Sequence, residues 1–524
     1  MTTGAQHLLT GLRDGGVEYL FTNPGTTEIY FVAALGLSRT PRPILTLSEG
    51  VAAGAADGVA RMTGRPSAIL LHLGPGLANA IASLHNAKRA HSPVVVIVGD
   101  HSPAVRVQDP PLASDIEGLA QTFSKTVLRA TPDQHPRHIG AMASYLTLED
   151  MPGIVTVIVP SDLSWGNFGQ IAPLATRPSP VVGLDTATIA RARVALDDPT
   201  GTTTVVVGGD LLTRDGHESL HRLTSREHLH LWTNTFPTRI DRGPTTPPIR
   251  RLPYLPEMAI AALEGTRHVI VIGGTPPVPF FGYPHLPDRL VPDGCEIITV
   301  TTNPIRARSA TDQLLTPHKA TPLNATAAPI HDAAPSAPDL AGPLNASNFA
   351  SIVAHLLPGE AIVVDESNTL GINLEEATAD APPHAWLPAL TGGAIGHGLG
   401  LAIGAALAAP DRQVLALIAD GSSLYAPQAI WTHSAQGLNI VTIILINRSY
   451  GILHFELDRL GPDAANEEAE KLLSLDHPPL DHARLAEAFG VPATTVESAM
   501  ELHDSLQRAL QSRGPSLIAA IFTT

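Results

Sequence analysis

One cysteine, Cys295, stands in a chain of 524 residues. That excludes an intrachain disulfide and any cysteine-rich metal site, and it fits a reducing compartment, the cytoplasm. Lysine is nearly as scarce: four of the 33 basic residues are Lys (Lys88, Lys125, Lys319 and Lys471). Acidic residues number 49, so the net charge is -16 and the chain lacks the basic surface that nucleic acid requires. Only 16% of residues are charged against 44% hydrophobic, a balance that excludes a disordered chain. A secretory signal is not expected, because Arg13 and Asp14 interrupt the N-terminal stretch before an apolar run develops. One uncharged stretch, 387–410, has the length of a membrane span. Its many glycines, two prolines and central His397 read instead as a turn entering a buried helix, so no membrane partner is expected.

What is present is a repeated alternation. The runs EYLF (18–21), PILTL (43–47), SAILLHL (67–73), PVVVIVG (93–99) and GIVTVIVP (153–160) are near-continuous hydrophobics, the pattern of parallel strands covered on both faces. Helical stretches such as 49–62 and 77–89 lie between them, which predicts an α/β unit over 1–180. TRPSPVVG (176–183) marks a boundary, and a second unit over 184–335 carries TTVVVGG (203–209), HVIVIGG (268–274) and CEIITVTT (295–302). From 316 to 341 Pro, Ala and Thr dominate, as in an extended linker. A third unit over 342–524 repeats the alternation with EAIVVDES (360–367), RQVLALIADG (412–421), NIVTIILIN (439–447) and PSLIAAIF (515–522). The fold class is therefore α/β, with three consecutive doubly wound parallel-sheet domains.

In the third unit one strand ends in Asp420, Gly421 and Ser422, and the next ends in Asn447. A separation of 27 residues (447 − 420) is about one βαβ crossover, so both side chains emerge at the carboxyl edge of adjacent strands. A carboxylate, an amide oxygen and a nearby carbonyl are hard ligands, suited to Mg²⁺ or Ca²⁺ that shares a phosphate. Gly421 lets the backbone approach that phosphate, while Ser422 and Ser423 offer hydrogen bonds at the following helix start. Either half alone also reads as an ordinary strand-end turn; the pair at this spacing points to a site.

This arrangement resembles the diphosphate and metal motif of thiamin diphosphate enzymes of the pyruvate oxidase and decarboxylase group, and the likeness covers essentially the whole chain. It implies domains in the order pyrimidine-binding, middle and diphosphate-binding. It further implies metal ligation by Asp420, Asn447 and the main-chain carbonyl of Ser449, with Tyr450 and Gly451 beside the coenzyme. Members usually carry Gly-Asp-Gly and paired Asn; here Ala419 comes first, and Ile446 and Arg448 flank a single Asn. The ligating positions remain.

By the same likeness Glu49, in LTLSEGVAAGAADGVARMTG, is the catalytic carboxyl that hydrogen-bonds N1′ of the coenzyme's aminopyrimidine. Read alone, it is equally an acidic residue in the first helical turn after a Ser48 cap, complementing the helix dipole. In TGGAIGHGLGLAIG the resemblance assigns Ile395 as the apolar wedge that bends the coenzyme, with Gly393 among the glycines that let the backbone lie close.

FTNPGTTE (21–28) and DESNT (365–369) look particularly like benzoylformate decarboxylase. That likeness implies that Thr26 orients the substrate carboxylate, that Asn368 and Thr369 contact the diphosphate, and that His72 in LLHLGPGLAN relays a proton. A second relay histidine would come from the middle domain, where GGTPPVPFFGYPH has Gly282 at the matching position and His285 nearby, leaving His101 or His397 as other donors. GPG (74–76) and, more loosely, SYGILHFELDRLG (449–461) are reminiscent of acetolactate synthases instead. Their FAD site needs charged residues that TPPVPFFGY lacks, which argues against FAD.

The implied activity is non-oxidative decarboxylation of a 2-oxo acid through a C2 carbanion and an enamine. The enamine is then protonated to an aldehyde or, as an acetolactate synthase-like carboligase would do, captured by a second carbonyl compound. A non-catalytic coenzyme-binding subunit is the alternative of another class, and Glu49 argues against it. A nicotinamide enzyme would need a GxGxxG after a first-unit strand, which is missing. Phe280, Phe281, Tyr283, Tyr450 and Phe455 fit an aromatic or bulky substrate and ordinary packing about equally. The family arrangement also implies active sites between subunits of a homodimer or a dimer of dimers.

Overall fold

The computed structural model describes the chain apart from Met1, 38–39, 176–182, 200, 225–227, 248, 317–334, 336, 462–463, 465 and 524. The boundary at 176–183 and most of the expected linker thus lie outside the described residues.

The hydrophobic runs are strands; most are almost wholly buried, which explains why they alternate so little, whereas the edge strands Arg42–Leu45 and Glu296–Thr301 keep exposed positions. The first domain holds β1 (Tyr19–Thr22), β2 (Arg42–Leu45), α1 (Glu49–Thr63), β3 (Ser67–His72), α2 (Leu73–Arg89), β4 (Val94–Asp100), β5 (Thr126–Arg129) and β6 (Val155–Pro160). These six strands form one sheet in the order β2-β1-β3-β4-β6-β5, every pair parallel. The middle domain follows with β7 (Thr202–Val207), β8 (Leu229–Thr233), β9 (Ile240–Arg242), β10 (Arg250–Arg251), α3 (Pro256–Ala262), β11 (Thr266–Ile272) and β12 (Glu296–Thr301). Its sheet runs β10-β8-β7-β11-β12.

The third domain contains β13 (Ile362–Glu366), β14 (His384–Pro388), α4 (Gly398–Ala408), β15 (Val414–Ala419), β16 (Ile440–Ile446), α5 (Gly451–Asp458), α6 (Glu467–Leu473), β17 (Ala493–Val496) and β18 (Ser516–Ile521). Its strands lie in the order β14-β13-β15-β16-β18-β17, the same relative order as in the first domain. In both sheets the order reverses between the first and third strands, and the carboxyl ends there open the crevice where doubly wound folds bind ligands.

Two features cut across the expected division. Strand β9, from the middle stretch of sequence, pairs antiparallel with β14 and completes the edge of the third domain's sheet. The first and third domains also share one hydrophobic core, in which Val51, Ala55 and Leu77 pack with Leu401, Ile403 and Val414. Helices α1 and α4 meet there, running parallel: a Cβ on Gly54 would fall 3.2 Å from the Gly400 Cα. Only glycine permits so close an approach at that pair, and the contact continues one turn on, at Gly58 and Gly404.

Candidate active site

At the third domain's crevice, β15 delivers Asp420 into a buried four-residue helical turn, Asp420–Ser423. Asp420 is 3% exposed. Its Oδ1 accepts the Gly421 N–H at 2.8 Å and its Oδ2 the Arg448 N–H at 2.7 Å, so the ends of β15 and β16 are laced together through one carboxylate. Burial raises the Asp420 carboxyl above its ordinary range, opposed by these backbone donors. Asn447 Oδ1 accepts the Ser449 N–H at 3.2 Å. Arg448, between the two expected ligating positions, sits at φ 55°, a left-handed conformation that costs a non-glycine residue about 1 kcal/mol or more.

Asn368 and Thr369 approach from the end of β13. Asn368 Nδ2 donates to Ser422 Oγ at 3.1 Å, and Thr369 lies against Gly451. The Tyr450 ring covers Gly421, where a Cβ would sit 2.7 Å from its Cε1. Ser423 turns back: its hydroxyl donates to the Asp420 carbonyl at 2.7 Å and lies 3.4 Å from His482 Nδ1. Among the described residues no group of three or more His, Cys, Asp or Glu side chains could hold a metal ion. An ion at Asp420, Asn447 and the Ser449 carbonyl would therefore complete its shell from phosphate and water, and this oxygen-only set fits a hard divalent cation.

The turn carrying Ile395 is pinned from two sides. Gly393 and Gly396 adopt φ 84° and 86°, open cheaply only to glycine. Ile395 itself is half-buried. From the third domain, Glu366 at the end of β13 grips the turn: its carboxylate accepts the Gly396 N–H and, at 2.6 Å, the Gly398 N–H. Burial pushes Glu366 up to about 7, against the opposing pull of the backbone donors at 396–398 and the Ser422 hydroxyl. From the first domain, Asn86 on α2 donates to the Ala394 carbonyl at 2.7 Å, and His85 Nε2 meets the Gly392 carbonyl at 3.0 Å. His397, one of the alternative proton donors, is sealed between the domains, 2.7 Å from Asp57, which also pairs with Arg61 at 2.6 Å. Burial opposes the charge of Asp57, yet Arg61 and His397 outweigh it and hold that carboxyl well below the usual range.

At the first domain's crevice Glu49 opens α1. The Ser48 backbone takes the N-cap conformation but its side chain makes no capping bond, so the expected Ser48 cap is absent. Glu49 is 8% exposed, and its two oxygens accept amide N–H groups from Asn23 and Asn79, both at 3.1 Å. That fixes the carboxylate in place rather than leaving it to complement a helix end. Thr26 is exposed in the turn after β1. Behind it Glu28 is fully buried and accepts the Gly25 N–H at 3.0 Å, the Thr27 hydroxyl, and His72 Nδ1 at 2.8 Å. With Nδ1–H directed at Glu28, the His72 ring presents Nε2. His101, the other alternative donor, follows β4, with its backbone N–H bonded to Asp100.

Sequence reasoning passed over Glu28, Asn23, Asn79, Glu366 and Asn86. Four of these stood in runs already singled out, FTNPGTTE, LLHLGPGLAN and DESNT; a buried acid next to a strand-end His or Asn was the available signal. Asn86 gave none, because its role depends on a helix–turn contact across more than 300 residues. In the middle domain, His285 is exposed and Tyr283 occupies the seam with α5 instead.

Residues 2–146 match the model for the thiamine pyrophosphate enzyme N-terminal TPP binding domain, and 371–520 match that for the C-terminal TPP binding domain. A Mycobacterium tuberculosis protein provisionally named acetolactate synthase large subunit IlvX is 42% identical over 99% of this chain and 98% of its own. Benzoylformate decarboxylase from Pseudomonas aeruginosa is 29% identical over 97% of this chain and 96% of its own. The solved thiamine diphosphate-dependent 4-hydroxybenzoylformate decarboxylase of Rhodococcus jostii RHA1 superposes with TM-score 0.84 at 26% identity, covering 100% of this chain and 99% of that one.

Proposed function

The chain belongs to the thiamine pyrophosphate enzymes, and on that footing we propose that it decarboxylates a 2-oxo acid non-oxidatively, in the manner of benzoylformate decarboxylase. The observation that carries the decarboxylase reading is the Glu28–His72 pair, a histidine oriented by a buried carboxylate in the crevice that also holds Glu49. Protonated, such a pair can deliver a proton from Nε2 to the carbon that loses CO₂, as aldehyde formation requires; a carboligation instead bonds that carbon to the second carbonyl and protonates that carbonyl's oxygen.

When bound, thiamin diphosphate supplies the electron sink for the pair released as CO₂ leaves. Asp420, Asn447 and the Ser449 carbonyl hold Mg²⁺ or Ca²⁺ against the diphosphate, and Asn368, Thr369, Gly421 and Ser422 line its path. Glu49 hydrogen-bonds the aminopyrimidine, Ile395 presses on the coenzyme from the turn fixed by Glu366 and Asn86, and Gly393 leaves room for that turn. Thr26, at the mouth of the crevice, orients the substrate carboxylate. FAD has no part in this reading, because the middle-domain loop TPPVPFFGY carries no charged residue.

Following the family arrangement, the reading includes a homodimer, or a dimer of dimers, in which one copy's Glu49 serves its neighbour's diphosphate site. The surface beside Glu49 supports it. Ile29 (56% exposed), next to Glu28, and Leu45 (44%) and Leu47 (39%), just ahead of Glu49, are uncovered apolar side chains of the kind a second copy buries. No helix among the described residues is long and apolar enough to cross a membrane. The unpaired thiol of Cys295 accords with the cytoplasm.

A carboligase of acetolactate synthase type is the second reading. It is favoured by the 42% relative and by the middle-domain loop, which has Gly282 where a relay histidine would stand. Aliphatic and aromatic 2-oxo acids assayed for CO₂, aldehyde and hydroxyketone, with and without thiamin diphosphate and Mg²⁺, separate the two. Aldehyde as the main product supports the first reading, hydroxyketone the second, and no coenzyme-dependent CO₂ release refutes both.

A further inference from the structure

Helix α5 follows the metal motif and has no buried residue, so the burial that fixes most helices does not fix this one. Its eight residues span about 12 Å, too short a helix to persist in water by itself. Yet its first turn is built into the coenzyme end of the third domain. A Cβ on Gly451 would lie 3.0 Å from Thr369 Oγ1 and 3.2 Å from Asn447 Nδ2, and the preceding Tyr450 covers Gly421.

The far end of α5 is tied to the middle domain. The Tyr283 hydroxyl donates to Glu456 Oε1 at 2.9 Å. Arg459, capping the helix, stacks over the Tyr283 ring at 4.2 Å from its centroid and over Phe455 at 5.5 Å. The same guanidinium pairs with Glu257 on α3 and lies 3.5 Å from Glu456. It is only 21% exposed, a setting in which pairing and stacking count for more than on an open surface. Tyr254 and Phe280, 5.0 Å apart, back this seam from the middle domain.

We propose that Tyr283, Glu257, Glu456 and Arg459 form an interdomain clamp that positions α5, and through it the Asn447–Gly451 loop, to receive thiamin diphosphate and its metal. The clamp rests on the coenzyme reading above, and its members are positioning residues. Without it the helix frays toward Gly451, the loop spends less time in its binding conformation, and apparent affinity falls with the competent fraction.

Calorimetric titration of thiamin diphosphate into the full chain with Mg²⁺ present tests this, alongside hydrogen exchange of the protein before coenzyme is added. Arg459→Ala should raise Kd about tenfold and speed exchange of the α5 amides while β15 and β16 keep their protection. Arg459→Lys restores the charge pair but not the flat stack and should fall between. Tyr283→Phe, which removes a single hydroxyl, should raise Kd about threefold. Wild-type binding matched within twofold by every variant overturns the clamp. If wild type binds no coenzyme, the coenzyme reading fails instead, and unchanged α5 exchange in Arg459→Ala still refutes the clamp. If Arg459→Ala loses protection in β15 and β16 as well, Tyr283→Phe decides.

Discussion

Glu28→Gln is the sharpest test of the proton-delivering role given to His72. The carboxylate is fully buried and its two oxygens serve three donors: the Gly25 N–H, the Thr27 hydroxyl and His72 Nδ1. Glutamine keeps the shape, and the Thr27 hydroxyl can turn to accept from its N–H₂ group, but the negative charge facing His72 Nδ1 is lost and that N–H then meets a neutral amide oxygen. A hydrogen bond to a buried charged group is worth about 1.5–3 kcal/mol. Taking about 2 kcal/mol as the loss felt when His72 hands over its proton, turnover should fall roughly 30-fold. His72→Ala removes the donor outright, and general acids of this kind contribute about 10²–10⁴-fold. The assay is steady-state CO₂ release with aldehyde detection, paired with calorimetry of coenzyme binding, which should stay within twofold because Glu28 bonds Gly25, Thr27 and His72, none of them a residue assigned to the coenzyme. Since Glu28 acts through His72, the double variant should be no slower than His72→Ala alone. Turnover of Glu28→Gln within twofold of wild type, or full additivity of the two changes, refutes the argument.

Glu49→Gln and Asp420→Ala should separate chemistry from binding: the first keeps coenzyme affinity and loses about 10²-fold or more in turnover, the second loses calorimetrically detected binding itself. Glu366 carries a pH signature. Its folded carboxyl is raised to about 7, so the native state holds the proton more tightly than the unfolded chain. Its contribution to stability is full below the ordinary carboxylate range and is lost as pH rises through 7, with an upper bound of about 3 kcal/mol. Melting temperatures of wild type should therefore decline between pH 5 and 8 more steeply than those of Glu366→Gln; parallel profiles rule this out. Activity per chain should also collapse on dilution in step with dissociation seen by analytical ultracentrifugation, whereas a fully active monomer would contradict a site shared between copies.

The sequence was most legible where a chemical need and a strand end coincide. Asp420, Asn447 and His72 sit one step beyond a continuous apolar run, and Glu49 two, and such runs are hard to mistake when both faces of the sheet are buried, as they are at the first three. Strands β5, β14 and β17 escaped notice for the converse reason. TVLR and ATTV are edge strands with mixed burial, and HAWLP is buried throughout but closes on a proline. Strand β9 was illegible because three residues of the middle stretch complete another domain's sheet, a pairing that no local pattern encodes. The same limit hid Asn86. An amide on a long helix looks solvated until the Ala394 carbonyl is found against it.

The two crevices explain why these carboxylates do different work. Both sheets share one strand order, so the first and third domains offer equivalent openings between the ends of their first and third strands. In the third domain that opening is lined by Asp420, Asn447 and short polar residues, a setting that favours cation and phosphate. In the first it is lined by Glu49 between two amides and by His72 on a buried acid, a setting that favours neutral heterocycle and proton transfer. Helices α1 and α4, locked by Gly54 against Gly400, fuse the two cores, and α2 holds the wedge turn through His85 and Asn86. Within one chain the two openings therefore cannot drift independently. Any motion that admits substrate must come from the elements outside that shared core, and α5, with its exposed faces and its ties to the middle domain, touches the Asn447–Gly451 loop directly, as does the segment 473–475 that bonds Arg448, Ser449 and Tyr450.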